Sequence, residues 1–155
     1  MVSTVPRSGA ETASSARLTA RLQAALPGAE ACLFTPGGDD ALVVTLATPF
    51  VGRLVSGLSL PIGEGLVGWV AINRHTIANS HANLDLGSAA AALQLGVCTA
   101  TPVFALGELI GVLAVYLPDQ RQFSEADIRF VGALAQELGL QPARSLLEGP
   151  TDIAA

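Results

Sequence analysis

The parts of this chain able to do chemistry are two histidines, two cysteines, a glycine-rich run and a few acidic and hydroxyl side chains. Gly63-Glu64-Gly65-Leu66-Val67-Gly68 spells GxGxxG, and Asp85 follows about 20 residues on, which satisfies the letter of a dinucleotide fingerprint. The chemistry argues otherwise. Glu64 puts a carboxylate where a pyrophosphate must approach, a like-charge penalty. The strand before it carries Pro61 and is too short to be a central parallel strand. The glycines read instead as a tight strand-to-helix turn that lets the helix pack closely on a sheet. His75 and His81 flank a short strand, and Asp85 is the only further metal ligand near in sequence. A haem needs one axial His, so spacing alone leaves haem open. Both histidines read as solvent-facing or hydrogen-bonded loop residues, and the reading requires no metal and no cofactor.

Cys32 and Cys98 form no CxxC pair and have no His at zinc spacing. Both lie in apolar, strand-like runs, where a free thiol is a small core group. A Cys-His nucleophile pair of Cys98 with His81 or His75 is open in space, but nothing in the pattern demands it. No Ser stands in a nucleophile elbow. Along Val97–Ala105, alternation puts Thr99 and Thr101 on one face and Cys98 and Ala100 on the other. Two threonines on one strand face are either β-formers or pocket-lining hydroxyls. The polar stretch from Asn79 to Asp85 reads either as a solvated connection or as a source of convergent donors and acceptors for a small ligand. Trp69, the only Trp, is core or pocket wall. The candidate ligand-binding set is therefore Trp69, Asn79, His81, Asp85, Thr99 and Thr101.

These residues need a frame. The 155 residues suffice for one domain, half of them are apolar and 14% are charged; a wholly disordered chain is excluded. No apolar run approaches a membrane span, and no secretory leader is visible. With no such leader, two unpaired cysteines point to the cytoplasm. The net charge is −5, and all eight basic residues are scattered arginines. That argues against nucleic acid and against an anionic membrane as partners.

Residues 1–9 read as a disordered lead, 10–140 as one domain and 141–155 as a loose tail. Ala10–Leu26 is a helix with a thin stripe of Leu18, Leu22 and Leu26, suited to packing on another helix, possibly one from a second copy. Ala31–Thr35 and Leu42–Leu46 flank the turn cluster Pro36–Asp40 as a hairpin. A strand near Gly57–Pro61, a helix from Gly65 to Arg74 and a strand at Thr76–Asn79 follow. Ser80–Gly87 reads as loop, and Ser88–Leu95 as a helix with Gly96 past its end. Val97–Ala105 and Leu109–Leu117 form a second hairpin through Leu106-Gly107-Glu108, read as type II′ with Gly107 at the first loop position. Ser124 caps the last helix with Asp127 three residues on, and Phe123 and Ile128 stand at hydrophobic-staple positions. Gly139 and Pro142 end that helix. The order predicts an α+β domain: a five- to six-stranded, largely antiparallel sheet with helices on both faces.

The motifs resemble those of a GAF domain. They are Leu60–Ala71, Asn73–Asn79, Cys98–Phe104, Gly107–Leu113 and Phe123–Asp127, over roughly residues 15–140. The resemblance implies a ligand pocket between the sheet and residues 65–95. It also implies a cytoplasmic sensory role within a larger signalling protein, often as a dimer through the terminal helices. Cyclic-nucleotide-binding members carry Asn-Lys…Phe-xxx-Asp-Glu; here Asn73-Arg74…Phe123-xxx-Asp127-Ile128 departs at two positions. Arg74 and Asp127 are nevertheless placed to pair and clamp the last helix to the sheet. Bilin-binding members use a Cys followed by His, whereas Cys98 is followed by Thr99 on a strand. Three functions follow as expectations. The first is a sensor that binds a small molecule and signals through its terminal helices. The second is a homodimerisation module without ligand, and the third a thiol-dependent methionine-sulfoxide reductase using Cys98 with Cys32.

Overall fold

The computed structural model describes residues 9–154, with side chains from Ala13 to Leu140. The lead expected at residues 1–9 lies outside this range apart from Gly9, which begins the first helix. In order the elements are α1 (Gly9–Ala25), β1 (Glu30–Pro36), β2 (Ala41–Ala47), α2 (Pro49–Val55), β3 (Ser59–Pro61) and α3 (Gly65–Asn73). Then come β4 (Ile77–His81), α4 (Asn83–Leu86), α5 (Ser88–Ala92), β5 (Leu95–Ala105), β6 (Glu108–Pro118) and α6 (Glu125–Ala154). Six strands form one sheet in the order β3-β2-β1-β6-β5-β4, with every pair antiparallel. This is the α+β architecture expected, with helices on both faces.

Strand alternation divides the interior into two cores. Cys32, Cys98, Ala100, Val112, Ala114 and Tyr116 face the side covered by α2–α5. Leu113, Val115, Leu117 and Val103 face the side covered by α1 and α6, where Leu18, Leu22, Leu26, Val131 and Leu134 meet them. The thin leucine stripe of α1 is thus buried within this one chain. Burying one such Leu is worth about 1.5–3 kcal/mol. Ser124 and Asp127 form the capping box in both directions: Asp127 Oδ2 accepts from the Ser124 N–H at 2.9 Å, and Ser124 Oγ accepts from the Asp127 N–H at 3.0 Å.

Four local expectations change. The β5–β6 loop is Leu106-Gly107, because Ala105 pairs Glu108. Both loop residues have positive φ, 54° and 82°, so the turn is type I′ rather than II′. Gly96 lies inside β5 rather than past a helix; a Cβ there would press on Asp119, and Gln94 takes the left-handed position at the end of α5 instead. The loop read at Ser80–Gly87 contains the end of β4 and the single-turn α4. Finally, α6 runs through Gly139 and Pro142 to Ala154, where the sequence reading ended the helix and began a tail. Pro142 lacks the N–H that would bond the carbonyl four residues back and its ring crowds that carbonyl, so a helix passes it at a cost of about 3 kcal/mol and with a bend. Gly139 is needed for packing: a Cβ there would collide with the Phe104 carbonyl on β5.

Candidate functional site

The GxGxxG run builds the entrance to α3. Gly65 sits at φ +68°, and Gly68 lies so close to the Pro61 carbonyl and the Gly63 N–H that no side chain fits. The Gly63 N–H donates to the Gly68 carbonyl at 2.9 Å, which closes the turn. The run therefore serves helix–sheet packing, as its chemistry suggested. The exposed donors of α3 are met from the next segment: Asp85, on α4, accepts from the Leu66 N–H at 3.0 Å and the Val67 N–H at 2.9 Å. This is capping by a residue distant in sequence, in the position where a helix end favours negative charge. Asp85 is 9% exposed. Burial raises its pKa, opposed by the two N–H bonds, first that of Val67 and then that of Leu66.

Below α3 lies Tyr116, fully buried on β6. Cys98 is its direct cross-strand partner on β5, and Cys32 occupies the same face on β1. The Tyr116 hydroxyl has no hydrogen-bond partner among the described residues. Burial holds the phenol well above its usual range, and the Cys32, Cys98 and Asp85 charges add to the effect. A buried hydroxyl left unpaired costs about 1–3 kcal/mol. The sequence reading passed over Tyr116. Its signal was there: a lone Tyr in the otherwise apolar run Ile110–Leu117 carries a polar tip that must find a partner.

Both thiols are free and buried. Burial pushes both upward: Glu30 adds at Cys32, and Asp85 then Cys32 add at Cys98. Cys32 and Cys98 lie on strands separated by β6. Two strand spacings amount to roughly 9.5 Å, beyond the Cα separation of about 7 Å that a disulfide tolerates. Cys32 is thus badly placed to resolve a Cys98 intermediate.

The six candidate ligand residues do not converge. Thr99 and Thr101 pair with Val115 and Leu113, which puts them on the α1–α6 side, away from Asp85. Thr101 Oγ1 lies 2.7 Å from Thr76 Oγ1, and Thr99 Oγ1 accepts from the Asn79 N–H at 3.3 Å. Asn79 stands in a bulge of β4 with φ 55°. Its amide grips the chain just before α6: Oδ1 accepts from the Phe123 N–H at 2.7 Å, and Nδ2 donates to the Phe123 carbonyl at 3.0 Å. The clamp expected between Arg74 and Asp127 is therefore made by Asn79 instead. Asp127 is engaged in the capping box, and Arg74 closes α3 in the left-handed conformation, φ 60°. Trp69 is 41% exposed on α3, so it is neither core nor the wall of an enclosed pocket.

His81 is exposed at the end of β4 and lines a cleft of about 490 Å³ with Asn83, Gly87, Ser88, Leu95 and Asp119. This cleft lies between the α4–α5 segment and the end of the sheet. Directly under α3, by contrast, Val67, Val70, Tyr116 and Cys98 are packed together. The hollow expected between the sheet and residues 65–95 is thus a side cleft beside a filled core. A second groove, of about 540 Å³, runs between α1 and α6 past Leu18, Ala24, Leu134, Leu138 and Leu140. Arg21 crosses it to pair with Glu137, at 2.6 Å to Oε2, and stacks over Phe130 at 5.6 Å. Among the described residues, no cluster of His, Cys, Asp or Glu could hold a metal ion.

The GAF domain family model matches residues 15–140. The chain belongs to the GAF domain family, whose members are sensory and regulatory modules. Comparison with curated proteins finds no match. Among solved structures, the chain is similar to the GAF domain of a phosphoenolpyruvate-protein phosphotransferase from Coxiella burnetii. Identity is 25%, 96% of this chain and 90% of that chain are covered, and the TM-score is 0.72. It is also similar to free methionine-R-sulfoxide reductase from Neisseria meningitidis in complex with its substrate, at 23% identity, 83% of this chain, 75% of that one and TM-score 0.65. A segment of a methyl-accepting chemotaxis protein aligns at 18% identity, 86% of this chain and 98% of that one, TM-score 0.66.

Proposed function

We propose that this domain binds a small molecule beside the α4–α5 segment and passes its occupancy to α6 within a signal-transduction protein. One observation carries the reading: β4 serves both sides. His81 lines the cleft, and two residues earlier Asn79 holds Phe123 at the root of α6. A ligand that shifts the edge strand must therefore disturb the hold on the long helix. Its effect is limited by its differential affinity for the two arrangements. The test is native mass spectrometry of the purified chain, followed by thermal shift against a panel of small metabolites. A co-purifying or stabilising ligand supports the reading; an empty protein that no panel member stabilises contradicts it.

The groove between α1 and α6 supports a second element, a homodimer through the terminal helices. Ala20, Ala24 and Leu140, the last 56% exposed, line the groove beside the Arg21–Glu137 pair, and α6 spans roughly 45 Å at 1.5 Å per residue over its 30 residues. A second copy presenting the same helix face is a self-complementary occupant. Sedimentation decides: a monomer at high micromolar concentration contradicts it. We read the module as a binding domain rather than a reductase, because both thiols are buried and held protonated. Two unpaired cysteines suit the cytoplasm. No helix among the described residues is long and apolar enough to cross a membrane.

A further inference from the structure

We propose that the side cleft at the end of the sheet takes a small organic cation, a primary amine on a short apolar stem, with the Asp119 carboxylate as its counter-ion. The inference rests on the ligand-binding reading above and adds the ligand's chemical class.

Most polar side chains in this part of the molecule are already engaged. Asp85 caps α3, Asn79 holds Phe123, and Thr99 and Thr101 bond to Asn79 and Thr76. Four are not. His81, Asn83, Ser88 and Asp119 line one cleft of about 490 Å³, and none of their side chains has a hydrogen-bond partner among the described residues. They come from three segments: the end of β4, the α4–α5 segment and the turn after β6. A concave surface with a few convergent polar groups left unspent is the form a small-ligand site takes.

Asp119 is held in place through its backbone. Its N–H donates to the Gln94 carbonyl at 3.0 Å, just past α5. Its Cα and carboxylate lie directly over Gly96, where a Cβ would meet Oδ1 at 2.6 Å and Cα at 3.1 Å. Gly96 is thus the residue that lets a carboxylate turn across the start of β5. The charge is uncompensated: the ion pair among the described residues is Arg21–Glu137, and no arginine lines the cleft. Arg121, two positions on, donates to the Pro27 carbonyl at 2.6 Å instead. The chain's net charge of −5 adds a general attraction for cations. An anionic ligand in the cleft would meet Asp119 with no cation to offset it.

The other lining residues narrow the class. An ammonium group has three donors and no acceptor. Asp119 offers carboxylate oxygens, and the Asn83 carbonyl and the Ser88 hydroxyl offer neutral acceptors. Ala91 and Leu95 form an apolar wall for the stem. Of the lining residues, His81 and Asp119 are the metal-type ligands, one short of a group that could hold a metal ion, so an organic cation fits better than a bare metal.

The test is a titration of the isotopically labelled chain with n-butylammonium chloride, compared with 1-butanol and with sodium butyrate at equal ionic strength. It follows the resonances of Asn83, Ser88, Gly96 and Asp119. Butylammonium is expected to shift them saturably, and the alcohol and the carboxylate are not. Asp119→Asn keeps the side-chain shape and removes the charge; it is expected to weaken butylammonium binding at least about fivefold, the upper end for a solvent-screened pair. Asp39→Asn, in the β1–β2 turn, removes the same charge elsewhere and is expected to change binding less than twofold. Equal responses to butylammonium and 1-butanol overturn the proposal, because the cleft then reads only the apolar stem. So does equal weakening in the two variants, which marks bulk charge alone, and so does unchanged affinity in Asp119→Asn. A neutral or anionic metabolite recovered in the cleft also overturns it while leaving the small-molecule reading intact; a chain that no ligand of any charge stabilises overturns both.

Discussion

Asn79→Ala tests the link between the sheet edge and α6. The substitution deletes the acceptor for the Phe123 N–H and the donor to the Phe123 carbonyl. Each such bond is worth about 0.5–1.5 kcal/mol net, so the pair contributes about 1–3 kcal/mol. Position 79 also has φ 55°, a conformation that Asn tolerates and that costs Ala about 1 kcal/mol or more. The expected loss is about 2–4 kcal/mol. At roughly 2–4 °C per kcal/mol for a domain of this size, Tm falls by about 4–16 °C. Asn79→Gly separates the two contributions: it loses the same bonds but not the φ penalty, so its loss is about 1 kcal/mol smaller. Urea denaturation with a shared m-value measures both variants, and hydrogen exchange of the Phe123 amide locates the effect. A loss below about 0.5 kcal/mol for Asn79→Ala, with Phe123 protection unchanged, refutes the clamp.

Other outcomes follow from the buried polar groups. Tyr116→Phe removes a hydroxyl that has no partner among the described residues, so the ligand-free chain is expected to be unchanged or more stable, by up to about 1–3 kcal/mol; a clear loss in urea denaturation contradicts the unpaired hydroxyl. Asp85 has a folded-state pKa above its ordinary value of 3.8, so the folded chain takes up this proton first as pH falls. Its contribution is full below 3.8 and is lost as pH rises through the folded value. The stability of wild type relative to Asp85→Asn is expected to rise as pH is lowered from 7 towards 4, and a flat or inverted difference refutes the assignment. Cys32 and Cys98 are expected to react with a thiol reagent at least about a hundredfold more slowly in the native chain than in urea. Native reactivity close to that of free cysteine revives the reductase reading.

How much of this was legible in the sequence depended on how local each signal was. The two hairpins, the Ser124 capping box and the GxGxxG turn are written in neighbouring residues, and each was read near its observed place. α2 was missed although Thr48-Pro49 followed by Val51 and Val55 carries an N-terminal Pro and an apolar i,i+4 pair. Its cap was harder to foresee: Glu30, across the sheet, accepts from the Val51 N–H at 2.9 Å and from the Thr48 hydroxyl at 2.6 Å. The same non-locality hid the site. Alternation correctly split Thr99 and Thr101 from Cys98, but it could not say which face carries which helices. Asp85 was singled out for its type, yet its partners lie 18 and 19 residues away on another helix. Arg74 and Asp127 have opposite charges and plausible spacing, but Asp127 was already committed to Ser124 and the neutral Asn79 made the clamp.

The central claim is that occupancy beside α4–α5 is felt at the root of α6 through Asn79. Hydrogen exchange measured with and without a stabilising ligand tests it most directly, over residues 83–92 and 123–130, in wild type and in Asn79→Gly. The account predicts that ligand changes exchange in both windows of the wild type, and that Asn79→Gly keeps the first response and loses the second. A ligand response confined to residues 83–92 in the wild type, or one reaching 123–130 undiminished in Asn79→Gly, contradicts it.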